Sequence, residues 1–359
     1  MAARKGKVAA TRKPDPGMTQ RPIVFITHSP QALANYYGLR ALGALEAVAE
    51  VRRSESDIEW TDVTLAEAAK DADIIVSDRR SEGGAGLFER LPLLVAFCRC
   101  AVDIRNVDVA AASRLGILVT QASAGFIASV SEWIVGAMID LSRNVSESVR
   151  QYRSGQVPAL QMGRELRGAT LGVVGYGGIG RYLADLGLAF GMRVVVSDPH
   201  VKVEQPRPAQ VTFSELLAQS DYVVCLAIAT PQTENLMDDA AFAAMRRSAF
   251  FINAARGNLV DEAALLRALD NNLIAGCALD VGRAPDQMPS ASLARHPRVI
   301  ATPHIGGLTL PAIEHQSMET VQQVTALAQG RFPAGAVNAV HAHRAQTWFG
   351  RDKDRSANS

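Results

Sequence analysis

Short apolar runs alternate with stretches of helical periodicity along most of this chain. Residues 23–27, 74–76, 93–98 and 117–120 read as buried strands, and 171–174, 194–196, 222–228, 250–253, 274–281 and 299–301 continue the series. Between them Leu39, Leu42, Leu45 and Ala49 recur at helical spacing, a helix begins over 107–112, and 213–218 and 262–269 read as further helices. From Gly125 a long amphipathic helix brings Ile127, Val130, Ile134, Ala137, Met138 and Leu141 to one face, and a last helix carries Ile313, Met318, Val321, Val324 and Leu327. Gly155 and Pro158 mark an irregular connection, and 201–210 a proline-bearing loop. Strands that alternate with helices in this way predict an α/β fold with parallel sheet.

The stretch 169–200 is the most specific. Apolar residues 171–174 lead into Gly175, Tyr176, Gly177, Gly178, Ile179 and Gly180, a G-x-G-x-x-G frame, and Leu183, Leu186, Gly187 and Phe190 then recur at helical spacing. The β-branched run 194–196 ends at Asp198, where a dinucleotide-binding βαβ unit needs an acid for the adenosine ribose hydroxyls. Gly175 allows the tight turn, Gly177 lets backbone approach a pyrophosphate, and Gly180 lets helix pack on strand. The pyrophosphate is expected at the helix N-terminus, where free N–H groups and the positive end of the dipole meet it.

Composition narrows the class. A length of 359 residues exceeds the usual single domain, so two domains are expected. A hydrophobic content of 48% and a charged content of 20% suit a globular chain with a sizeable core. The formal net charge of +1 argues against nucleic-acid or electrostatic membrane binding, and no apolar run reaches a membrane span. Cys98, Cys100, Cys225 and Cys277 lack metal-ligand spacing and read as small buried residues suited to a reducing cytoplasm, with no metal site. Residues 1–20 carry Arg4, Lys5, Lys7, Arg12 and Lys13 without an apolar core segment; a mobile tail is expected there, with Met18 an alternative translation start.

Taken in order, NVDVAAASRLGILV, SVSEW, GVVGYGGIG with Asp198, ATPQTENLM, FINAARGNLVDEAAL, IAGCALDV and TPHIGG resemble the D-isomer-specific 2-hydroxyacid dehydrogenases over roughly residues 96–307. The resemblance implies a flavodoxin-like substrate domain, 21–122 plus 306–340, into which a Rossmann NAD-binding domain, 123–305, is inserted. Residues 341–359 are expected as a polar tail. It also implies a homodimer formed largely through the nucleotide domains, and a small 2-oxo or 2-hydroxy acid as substrate.

Residue by residue, the resemblance gives Arg256 the substrate carboxylate, which a planar guanidinium grips bidentately. It gives His304 acid–base exchange, for which imidazole is suited near neutral pH. Asp280 matches a position that contacts the nicotinamide carboxamide, and Ala227, Thr230, Ala254 and Gly306 fall in the frames around the cofactor. Asp198 favours NAD, since an acid there repels a 2′-phosphate, while Lys202 and Arg207 keep NADP as the alternative. The loop 102–106 matches the carboxylate-binding loop, with Asp103 where glycine is usual, then Ile104, and Arg105 where an acid is common; an added arginine would suit a second anionic group. Arg80, in the charged segment DRRS after the strand 74–76, reads either as a substrate contact or as part of a solvated loop.

One departure concerns the family glutamate that supports the histidine. Its usual place, five residues after the aspartate of the LDV frame, is occupied here by Pro285. Asp286 is the first substitute, as a carboxylate able to stabilise imidazolium; Gln287 is the second; the third option is that nothing replaces it. The expected activity is hydride transfer between NAD(H) and a 2-oxo acid. The alternative is an NADH-sensing binding protein or corepressor-like protein with little turnover.

Overall fold

The computed structural model describes residues 21–55, 57–204 and 208–350, the side chain of Asp286 excepted. Expectations that fall on 1–20, Arg207 and 351–359 therefore lie outside the described residues. In chain order the first part runs β1 (Ile23–Ile26), α1 (Pro30–Tyr36), α2 (Leu39–Val48), β2 (Glu50–Arg53), α3 (Asp62–Ala68), β3 (Ile74–Ser77), α4 (Ala85–Arg90), β4 (Ala96–Arg99), α5 (Val109–Arg114) and β5 (Leu118–Thr120). The middle comprises α6 (Ile127–Arg143), α7 (Val145–Arg153), β6 (Thr170–Val174), α8 (Gly178–Ala189), β7 (Arg193–Ser197), β8 (Ala209–Gln210), α9 (Phe213–Gln219) and β9 (Tyr222–Cys225). It continues through α10 (Asp239–Ala244), β10 (Phe250–Asn253), α11 (Glu262–Asp270), β11 (Gly276–Leu279), α12 (Ala291–Ala294) and β12 (Val299–Ala301), and the chain closes with α13 (Leu310–Ala328) and α14 (His343–Gly350).

These elements form two compact units, one reaching Gly125 and resuming at Leu310, the other Phe126–Thr309. The first holds a five-stranded parallel sheet, order β2-β1-β3-β4-β5, the flavodoxin-like arrangement. Successive strand residues feed opposite faces: Val24, Ile26, Ile74 and Val76 pack with α2, α13 and α14, and Phe25, Ile75 and Phe97 with α3, α4 and α5. The second holds a seven-stranded parallel sheet, order β12-β11-β10-β9-β6-β7-β8, the doubly wound order. Chain order reverses between β6 and β9, the place in such sheets where ligands bind beyond the strand ends.

Several elements differ from the sequence reading. The runs 222–228 and 274–281 read as strands over their whole length, yet only Tyr222–Cys225 and Gly276–Leu279 are strand, because the following residues turn away to line the strand exits. Glu50–Arg53 pairs with β1 despite three charged residues, which an exposed edge strand tolerates. Within the expected polar tail, residues 343–350 form α14, which buries Ala345 and Trp348 in the first core. All four cysteines are buried, and burial pushes the thiols of Cys98, Cys100 and Cys225 up to about 12, so they are inert. No described helix is long and apolar enough to cross a membrane.

Candidate active site

In the second unit the glycine turn joins β6 to α8. Gly175 has φ +96, and a Cβ there would lie 2.7 Å from the backbone of Leu226 and Ala227, so the exit of β9 closes directly against the turn. A Cβ on Gly180 would sit 2.3 Å from the Gly175 carbonyl oxygen, which fixes how closely the helix approaches the strand. Gly177, by contrast, faces nothing within 4 Å, and as the N-cap of α8 it offers no side-chain acceptor. The helix therefore starts with uncapped N–H groups beside open space, which fits a pyrophosphate. Asp198 is bound to this turn: Tyr176 N–H donates to its Oδ2 (2.7 Å), and His200 and Val201 N–H to its Oδ1 (2.8 and 3.2 Å). A carboxylate offers about four acceptor positions, so it retains capacity for a ribose hydroxyl. Thr230 caps a short 3₁₀ turn, Pro231–Thr233, and its N–H donates to the Thr233 hydroxyl (2.8 Å).

The exits of β10, β11 and β12 carry the remaining residues. Buried Asn253 accepts from Ala255 N–H through Oδ1 (3.1 Å) and donates from Nδ2 to the Arg256 carbonyl (3.0 Å), which pins the Ala254–Arg256 turn. Arg256 is half-buried, and its Nη1 donates to the Ala255 carbonyl (2.7 Å). Gly257 lies so close to Gly282 that a Cβ would be 2.1 Å from the Gly282 carbonyl oxygen, which ties the β10 exit to the β11 exit.

Asp280, 3% exposed, is the hub of the third turn. Its Oδ1 accepts from the Thr302 hydroxyl (2.6 Å) and Ile305 N–H (2.8 Å), its Oδ2 from Gly306 N–H (2.7 Å), and its carbonyl from His304 N–H (3.0 Å). Inside this ring of donors His304 adopts a left-handed backbone, φ +56. A left-handed non-glycine residue costs about 1–3 kcal/mol, whereas each hydrogen bond to a charged acceptor contributes about 1.5–3 kcal/mol. The clamp therefore outweighs the strain, and the turn holds. Gly306 is glycine for the same reason: a Cβ would stand 2.8 Å from Asp280 Oδ2. The carboxylate expected to meet the cofactor is thus turned onto the chain's own turn, a positioning role the sequence did not disclose.

The loop between Asp280 and α12 contains a 3₁₀ turn, Pro285–Gln287. The backbone of Asp286 lies in it, and its side chain is outside the described residues. Gln287 has φ +57, and its Oε1 is buried with no partner among the described residues.

In the first unit the other candidates sit on two loops, 78–81 after β3 and 100–106 after β4. Arg80 is exposed, with Nε 3.7 Å from the Asp78 carboxylate. Arg105 is held by Asp103 in a bidentate pair (Nε to Oδ1 3.0 Å, Nη2 to Oδ2 2.7 Å), which raises the Arg105 pKa. The pair is partly exposed, so in this structure the Arg105 guanidinium is shared with the Asp103 carboxylate. Arg79 stacks over the Tyr36 ring at 5.2 Å. Ile104 is half-buried in the loop, beside Asp103. The sequence reading missed Arg99, a charged residue inside the apolar run AFCRC, which is buried beneath both loops. His28, at the exit of β1, is 2% exposed; burial lowers its pKa to about 4, against the opposing pull of Asp78, so it is neutral at physiological pH.

Residues 135–306 match the family described as D-isomer specific 2-hydroxyacid dehydrogenase, NAD binding domain. Glyoxylate reductase from Aeropyrum pernix is 31% identical over 286 residues, 77% of this chain and 85% of that protein. D-3-phosphoglycerate dehydrogenase from Bacillus subtilis is 34% identical over 256 residues, 70% of this chain and 49% of that protein. The chain spans about half the length of the curated phosphoglycerate dehydrogenases it matches. Among solved structures, the TT0316 protein from Thermus thermophilus superposes with a TM-score of 0.79 at 29% identity, over 88% of this chain and 99% of that one.

Two expectations follow. Gly306→Ala forces a methyl against the Asp280 carboxylate and lowers unfolding free energy by about 2 kcal/mol, read by urea denaturation; an unchanged midpoint contradicts the clamp. For His28 the folded pKa lies below the unfolded value, so stability is full above pH 6.5 and falls as pH drops toward about 4, where the unfolded chain binds the extra proton. The loss between pH 7 and pH 5 is therefore smaller in His28→Gln than in the wild type; equal losses contradict the buried neutral histidine.

Proposed function

Because this chain belongs to the D-isomer-specific 2-hydroxyacid dehydrogenases and its second unit is an NAD-binding domain of that family, we propose that it interconverts a 2-oxo acid and a D-2-hydroxy acid. The observation that carries this reading is Arg256 and His304 on the exits of strands β10 and β12 in one sheet, each held by its own hydrogen-bonded turn. Bound NAD(H) supplies or takes up the hydride. Arg256 grips the substrate carboxylate with its fork of N–H donors, which orients the neighbouring carbonyl. His304 as imidazolium gives a proton to the carbonyl oxygen during reduction and recovers it in the reverse direction.

Asp286 supports that imidazolium; a nearby carboxylate favours the charged ring. Gln287 is the second reading, supported by its buried acceptor oxygen. In the first unit Arg80, Asp103, Ile104 and Arg105 border the substrate, with N–H groups of loop 102–106 facing its carboxylate. Asp198 selects NAD over NADP by repulsion of a 2′-phosphate.

The working form is a homodimer formed through the nucleotide unit. In support, α7 buries none of its residues within its own unit, and Ile139, Val145, Val149 and Tyr152 line a groove of about 470 Å³. Just downstream Val157, Leu160 and Met162 project 83%, 104% and 100% exposed. Apolar side chains exposed to this degree suit an interface, and an isologous contact between two copies is the arrangement that covers them.

NADH oxidation with a panel of glyoxylate, hydroxypyruvate, pyruvate and bulkier 2-oxo acids tests the reaction. Turnover is expected with at least one, reduced about a hundredfold or more in His304→Asn. Asp286→Asn moves the alkaline decline of reduction to lower pH, since the imidazolium loses its stabilising charge, and leaves NADH affinity unchanged. Tight NADH binding without turnover across the panel favours the sensor instead, and an unmoved pH profile removes Asp286. In light scattering the wild type is expected at twice the chain mass and a Leu160→Asp, Met162→Asp double variant at the chain mass; a monomeric wild type contradicts the dimer.

A further inference from the structure

Arg99 closes β4, whose other members Ala96, Phe97 and Cys98 are wholly buried, and is itself only 2% exposed. A guanidinium in such a place needs its donors answered, because an unpaired buried charge is among the most costly defects a fold can carry. They are answered mainly by backbone carbonyls. Nη1 donates to the carbonyls of Asp78 and Ser81 (3.1 Å for Ser81), Nη2 to that of Arg79, and Nε to that of Asp103 (3.2 Å). The first three lie on the loop after β3 and the last on the loop after β4, so one side chain fastens both.

The Asp78 carboxylate, which acts on Arg99 electrostatically, does not hydrogen-bond to it. Asp78 Oδ1 instead accepts from the Thr27 hydroxyl (3.2 Å) and from the N–H and hydroxyl of Ser81 (2.9 and 2.5 Å), which tightens the same loop from its other side. Burial lowers the Arg99 pKa to about 10, with Asp78 and Asp103 opposing, so the cation persists at neutral pH. A trans peptide sets its N–H opposite its C=O. Carbonyls of residues 79 and 103 drawn onto Arg99 therefore turn the N–H groups of Arg80 and Ile104 away from it. On the side away from Arg99 the loops thus turn out the N–H groups of Arg80 and Ile104, the polarity a carboxylate requires, while the Arg105 N–H is taken by Asp103 Oδ1 (3.1 Å).

We propose that Arg99 is the positioning residue of this anion-receiving face: it touches no substrate, and it sets the orientation of both loops through their carbonyls. The inference rests on the 2-oxo acid reading for its kinetic consequence. Lysine keeps the charge but has a compact head with three donors and no planar fork, so it cannot reach acceptors on both loops at once.

Arg99→Lys and Arg99→Met test the assignment in the full chain. KM for a 2-oxo acid that the wild type reduces should rise about tenfold or more, with kcat changed less than about threefold and NADH affinity unchanged. Trypsin should cut faster after Arg79, Arg80 and Arg105, which the freed loops present. If Arg99→Met fails to fold, Arg99→Lys decides. Unchanged cleavage in Arg99→Lys overturns the proposal, as does an unchanged KM in an active enzyme. Should the wild type reduce no acid, it is the 2-oxo acid reading that fails, and the cleavage rates still decide whether Arg99 holds the loops.

Discussion

The second unit depends on the carboxylate of Asp280 more than on any other single group. It is buried at the end of β11, where a charge is tolerated only if its acceptor positions are filled, and the donors that fill it all come from the turn after β12. The requirement runs both ways. The carboxylate needs the turn to be soluble in the protein interior, and the turn needs the carboxylate to keep His304 in a left-handed backbone it would otherwise avoid. Once that turn is fixed, the glycine at 306 follows from the space left over. His304 is therefore presented by electrostatics between backbone and one side chain.

The first unit solves a similar problem with the opposite sign. Asp280 is an anion that gathers N–H groups; Arg99 is a cation that gathers carbonyls. Both stand at the carboxyl ends of parallel strands, where an open α/β sheet places its ligand loops. In each case a buried charge converts irregular backbone into a fixed surface. Preorganised dipoles of this kind need no rearrangement when a charged ligand arrives, which is the form of electrostatic support most useful to catalysis.

Much of this was legible in the sequence because the signals are local. The glycine turn, the βαβ period and the frames around Arg256 and His304 each declare themselves within a dozen residues, and both sheets follow from their alternation. What escaped is non-local or context-bound. Glu50–Arg53 carries no strand signal, since three of its four residues are charged and nothing in them says that β1 lies alongside. Residues 343–350 read as polar until Trp348 and Ala345 are seen packed in a core assembled from both chain ends. Arg105 reads as a free cation until its bidentate pairing with Asp103 is seen. Arg99 and Asp280 share a further difficulty: their partners are backbone groups, which every sequence possesses and no motif records. The cofactor frame was thus readable, whereas the buried charges that fix the turns beside it were not.

The most direct measurement is amide hydrogen exchange at Ile305 and Gly306 by NMR. Both amides lie in an irregular turn, and Ile305 is an exposed residue. If Asp280 holds them as described, they exchange as slowly as amides in β10 and β11, and Asp280→Ala releases both while those strands keep their protection. Exchange in the wild type at the rate of an open loop would contradict the account.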